Sequence, residues 1–179
     1  MIRMKMLTPE AYAADEAIVH LGREEIAFLK AKVHENERKR VRVCAHKNAE
    51  DKLHEMFVIY SKETYIRPNK HLNHKDESLH ILEGAADFIF LDEQGELIKA
   101  VPLGDYSTGR QVYCRIPETI YHTFIIHSDF LVIHETIPGP FIRSDTVFAP
   151  WAPVENDLVS VQKYMKKLET TVNSSGTNR

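Results

Sequence analysis

Two histidines and a glutamate, His71, His74 and Glu77, fall within seven positions, and a third histidine, His122, follows a proline-led turn. Two imidazoles and one carboxylate gathered on one side of a metal ion make a facial triad that leaves coordination positions open. On a strand, residues two apart share a face, so Asn69 and His71 can project into one pocket. Glu77 then opens the next strand and His122 comes from a later one. Asn69 and His74 are the candidates for a fourth ligand. Tyr65 and Arg67 share the parity of Asn69 and His71, which makes them candidate catalytic or substrate-binding residues, Tyr65 as a hydrogen-bond donor or acid. A second row, Arg40-x-Arg42-x-Cys44-x-His46, puts four polar groups on one strand face. Facing a pocket, Arg42 and His46 would form a basic wall suited to carboxylate or phosphate. Facing outward, the same row would be a charged edge or dimer contact.

The chain has 10 histidines, and most of the others read as ordinary. His80 is an odd number of residues from Glu77 and is expected on the opposite strand face. His20, His34, His54 and His127 have no partner at a useful spacing and are expected in solvent; His134, in an apolar run, is expected in a core or interface. There is no GxSxG elbow, no Walker loop and no GxGxxG, with only 7 glycines in 179 residues. Cys44 and Cys114 are too few and too far apart for a cysteine-rich zinc site, and are expected as free thiols in a reducing cytoplasm.

The elements that must position these residues fall into three zones, read as residues 1–39, 40–153 and 154–179. The first reads as a helical extension, with Thr8-Pro9-Glu10 as a cap and Gly22 dividing two helices. The second is a series of about nine short strands at spacings of roughly 8–12 residues with no long helix between them. These span residues 40–46, 56–60, 64–71, 77–83, 86–91, 97–101, 111–116, 121–126 and 130–136, with a turn at Asp92-Glu93-Gln94-Gly95. That pattern predicts a mainly β domain, an antiparallel sandwich or closed barrel. The third zone carries Leu158, Val161, Tyr164, Met165 and Leu168 on one helical stripe over residues 154–172, then a polar tail over 174–179 expected to fray.

The spacing of these ligands resembles the cupin superfamily, whose first motif runs HxH, Glu, then Gly, and whose second runs PxGxxH. Here the first reads Asn69-x-His71, Glu77 and Gly84, and the second Pro117-x-Thr119-x-x-His122. Asn69 stands where the first histidine would, five residues separate His71 from Glu77, and Thr119 stands where glycine is usual. The segments ESLHILEG (77–84), IPGPF (137–141) and FAPWAP (148–153) are similar to the WbuC-type cupin-fold metalloproteins of bacterial O-antigen and surface-polysaccharide gene clusters. The resemblance implies a cupin-type jelly-roll barrel, with helices at both ends. It also implies a divalent transition metal (Fe, Mn, Ni or Zn) on His71, Glu77 and His122. The ligand would be a small polar molecule such as a sugar or nucleotide sugar, and the assembly a homodimer.

Composition bounds the remaining choices. The net charge of -3, from 23 basic and 26 acidic residues, argues against a nucleic-acid binder working by phosphate neutralisation. No apolar run is long enough to suggest a membrane span. Two readings stay open: a metal-dependent enzyme, with isomerase, epimerase and oxygenase chemistry undistinguished, and a non-catalytic small-molecule-binding cupin with a degenerate metal site.

Overall fold

In the computed structural model, which describes residues 1–176, the alternation of Arg40–Cys44 sets the plan of the barrel. This strand (β3) turns Val41 and Val43 outward onto the helix Arg23–Val33 (α1), where they pack with Leu29 and Val33. Arg40, Arg42 and Cys44 therefore point inward. Leu53–Ser61 (β4) repeats the division: Ile59 joins the layer under α1, while Val58 and Tyr60 enter the barrel interior.

Among the described residues, twelve strands form two sheets. One runs in the order β1-β2-β3-β4-β11-β6-β9, with β1 Met4–Thr8, β2 Ala11–Ala14, β6 Glu77–Glu83, β9 Tyr113–Ile116 and β11 Phe130–Pro138. The other runs β12-β5-β10-β7-β8, with β5 Asn69–His71, β7 Ala85–Leu91, β8 Leu97–Gly104, β10 Tyr121–Ile126 and β12 Thr146–Phe148. All pairings between named strands are antiparallel except β2 with β3. Between the sheets lies an apolar core built on Leu79, Ile81, Phe88, Leu103, Phe124, Leu131 and Ile133. A second core lies outside the smaller sheet, under the helix Leu158–Ser174 (α2). There Leu168 and Val172 are buried, each contributing about 1.5–3 kcal/mol of apolar burial.

The mainly β barrel with a helix near each end is as the sequence pattern predicts, but the first zone differs. Residues 4–14 form the β1–β2 hairpin and only the second expected helix, α1, is present. Thr8-Pro9-Glu10 is the hairpin's connection, and Gly22 caps α1, with its amide donating to Glu25 Oε2 at 2.8 Å. Tertiary pairing overrides the helix propensity of an alanine-rich stretch: β2 docks beside β3 and buries Ala11 and Tyr12. The C-terminal helix begins later than expected because the Asp157 side chain caps it through Ser160 N. It runs through Ser174; of the tail expected over 174–179, the last three residues lie outside the described ones.

Candidate metal centre

Register brings the sequence-distant ligands together. His122 on β10 sits directly opposite Asn69 on β5, and His71 follows two residues later on the same face. Glu77 is the first residue of β6 in the facing sheet. The result is one cluster in which a ligand atom from each of His71, Glu77 and His122 lies within 4.8 Å of the others. Glu77 Oε2 is 3.1 Å from His71 Nε2 and 3.3 Å from His122 Nε2. Glu77 and His122 are buried, and the cluster opens on a cavity of about 420 Å³.

The donor set fits a cation. His122 Nδ1 lies 3.1 Å from the Ile120 carbonyl oxygen, which can only accept, so Nδ1 carries the proton. Its Nε2 then presents a lone pair toward a carboxylate oxygen, an arrangement that needs a proton or a metal ion between the two. A ring oriented by a backbone carbonyl behind it is the usual support of a metal-bound histidine. In the metal-free protein burial would push the Glu77 carboxyl up, but hydrogen bonds with His122 and His71 outweigh it and hold it at about 2. The His122 imidazole is raised: burial alone would lower it, and the Glu77 carboxylate more than compensates.

The candidate fourth ligands have different fates. Asn69 is buried and lines the cavity, with its amide nitrogen donating to the Arg67 carbonyl at 3.2 Å. His74 is turned away: Asn73 and His74 take successive left-handed conformations, at φ 60° and 61°, which carry the His74 side chain into solvent beside Glu118. Thr119 adopts φ 73°, the conformation for which the cupin turn uses glycine. Its amide donates to the His71 carbonyl at 3.0 Å, so the turn is held against β5. A β-branched residue there is strained, and Thr119→Gly is expected to raise stability by about 0.5–1 kcal/mol in urea denaturation.

Arg42 and His46 line the cavity with Arg40 and Cys44, and β3 is an interior strand between β2 and β4. The row therefore faces the cavity and does not form a sheet edge. Tyr65 and Arg67 do not line the cavity. The strand begins only at Asn69, so strand parity does not extend upstream of Pro68, and it is Ile66 that turns inward to the core. The Tyr65 hydroxyl donates to the Pro153 carbonyl, and Arg67 Nη2 to the Ala149 carbonyl at 2.6 Å, so both brace the 148–153 segment. His54 is also placed differently: it is buried, with its ring stacked on His46 at 4.0 Å between centroids. His127 pairs with Asp87 at 2.9 Å, and His80 and His134 stack on the outer face of the larger sheet.

Sequence reasoning misses Glu135 and Tyr60. Both lie on inward-facing positions of β11 and β4 and line the cavity. Burial and the nearby Glu77 charge raise the Glu135 carboxyl to about 8, with Arg42 opposing. A signal is present: Leu131, Ile133 and Glu135 alternate on one face, and a carboxylate on the apolar face of a strand is rarely structural.

In sequence, residues 21–103 match a family described as a domain of unknown function, DUF6016, which is less than half of the chain. No curated protein matches. In structure, the chain is similar to a protein of Shewanella oneidensis at 13% identity and a TM-score of 0.50, covering 72% of this chain and 78% of that one. It is also similar to the capsular polysaccharide assembling protein CapF of Staphylococcus aureus, at 16% identity and a TM-score of 0.51, covering 63% of this chain and 32% of that one. The fold is a cupin-type β-barrel. The cupin domain of Schizosaccharomyces pombe Cnp3 aligns more loosely, at 12% identity and a TM-score of 0.44, over 57% of this chain and 66% of that one. At such identities the likeness concerns the fold alone. No helix among the described residues is long and apolar enough to cross a membrane.

Proposed function

We propose that this cupin barrel binds a divalent transition metal through His71, Glu77 and His122 and uses it to act on a small polar molecule held in the adjoining cavity. The observation that carries this reading is the convergence of two imidazoles and one carboxylate within 4.8 Å at the wall of a cavity of about 420 Å³. That volume lies toward the lower end of small-molecule pockets and suits one sugar-sized unit. The bound metal would supply Lewis acidity or an activated water at its open positions. Fe, Mn, Ni and Zn all suit this donor set. The similarity to WbuC-type proteins, and the capsular polysaccharide assembly for which CapF is named, support a sugar or nucleotide sugar of surface-polysaccharide biosynthesis as the ligand. A cytoplasmic homodimer, with residues 40–153 as the barrel domain, completes the reading.

A second reading is favoured by one observation: Asn69 supplies an amide, turned to the Arg67 carbonyl, where the cupin pattern has an imidazole. In that case the protein is a non-catalytic small-molecule binder. Elemental analysis of protein purified without chelator or metal-affinity resin separates the two. The metal reading expects about one transition-metal ion per chain, and less than about 0.2 would overturn it.

A further inference from the structure

A second polar pole lies beside the His71–Glu77–His122 cluster on the cavity wall. Glu135 lies opposite Leu79 in the β11–β6 register, two residues from Glu77 on the same face. Such diagonal neighbours are about 7–8 Å apart, a span that one small molecule can bridge. Among the described residues no hydrogen bond or ion pair reaches the Glu135 carboxyl. Arg42, on the same inner sheet face and also lining the cavity, has no carboxylate partner among the described residues, although its neighbours Arg38 and Arg40 are both paired with Glu155. The Tyr60 hydroxyl, on the same wall, has no partner among the described residues either. Glu135 is half-buried in the cavity wall, so its carboxyl is available to a ligand that enters there.

We infer that Glu135 and Arg42 form a binding site for an anionic sugar, whose hydroxyl hydrogen-bonds to Glu135 and whose neighbouring carboxylate or phosphate is held by Arg42. A guanidinium supplies a fork of N–H donors matched to either anion. The Glu135 carboxyl accepts a hydrogen bond from a sugar hydroxyl, which the donors of a purely basic wall cannot do. Arg42 then fixes one end of the molecule, and a metal held by His71, Glu77 and His122 would orient the other. The inference deepens the proposed function by naming the substrate class, and it depends on the metal only for the orientation of the far end.

The test is an NMR titration of the chelator-treated full chain with D-glucuronate, D-glucose 6-phosphate and D-glucose. At least one anionic probe should bind at least about tenfold more tightly than glucose. Arg42→Met should reduce that probe to the affinity of glucose. Glu135→Leu should weaken it by about tenfold, and Glu135→Gln, which keeps the shape and part of the hydrogen bonding, by less. Melting temperatures of the variants establish that they are folded, and Glu135→Gln decides if Glu135→Leu does not fold. Whichever anionic probe binds more tightly identifies the anion as carboxylate or phosphate. Equal binding of all three probes, no binding of any, anion preference surviving Arg42→Met, or unchanged affinity in folded Glu135 variants would each overturn the inference. A parallel titration with zinc keeps the two readings apart. Loss of zinc binding with the preference intact removes only the metal reading; zinc binding without the preference removes only the anionic sugar.

Discussion

His122→Ala is expected to weaken the binding of a divalent transition metal by at least about 100-fold, read by competition with a chromophoric chelator. Three protein ligands are few, so removing one leaves a bidentate remnant that water must complete. His122 is also the best prepared of the three. Its Nδ1 proton is held by the Ile120 carbonyl, so Nε2 is presented as a ligand without reorganisation. Glu77→Gln should be at least as damaging, because the amide removes the one negative charge among the three ligands while both imidazoles remain buried or nearly so. The reverse change is as informative. Asn69 lies opposite His122 in the register, and Asn69→His adds an imidazole to the same sheet face. It should tighten binding by about tenfold or more, since imidazole is a far better transition-metal ligand than an amide. If His122→Ala binds as tightly as the parent chain, the cluster is a buried acid–base pair and not a metal centre.

What the sequence discloses depends on how local the determining interaction is. The central strands are legible because one face is apolar and each is closed by its own turn. The pattern places Glu77–Glu83 and Tyr121–Ile126 at their observed bounds. The His/Glu/His cluster is legible because the spacing motif selects His71, Glu77 and His122, while strand parity sets Asn69 on the face of His71. Tyr65 and Arg67 mislead because parity does not carry through Pro68, where no ladder continues; the extended strand begins only one residue later. The β1–β2 hairpin is illegible for a different reason: its placement comes from docking beside β3, a contact that no local pattern records. His54 is similar, since its burial depends on stacking with His46 and on the 138–141 segment passing over it. Glu135 falls between these cases. Its alternation is visible in the sequence, but its significance depends on Glu77 and Arg42 reaching the same cavity from other strands.

Gly84→Ala is expected to destabilise the fold by about 3 kcal/mol or more, measured by urea denaturation. Gly84 is the single residue between β6 and β7, so the chain passes from one sheet to the other at this point. Its φ is +89°, and a Cβ there would sit 2.2 Å from the Phe130 carbonyl oxygen and 2.3 Å from Ser128 Oγ. The hydroxyl could rotate away, but the carbonyl belongs to β11, which is paired on both sides and cannot yield without disturbing the sheet that carries Glu77 and Glu135. Two hydrogen bonds pin the corner from the other side, Gly84 N to Asp105 Oδ2 and Asp105 N to the Gly84 carbonyl. Gly109 provides the control. Its φ is +69° with nothing within 4 Å of a built Cβ, so Gly109→Ala carries the backbone strain alone, about 1 kcal/mol. The excess loss in Gly84→Ala over Gly109→Ala is the cost of the collision with β11. If the two variants were equally destabilised, the corner would be adjustable, and the glycine that follows Glu77 in this motif would be there for its backbone freedom alone.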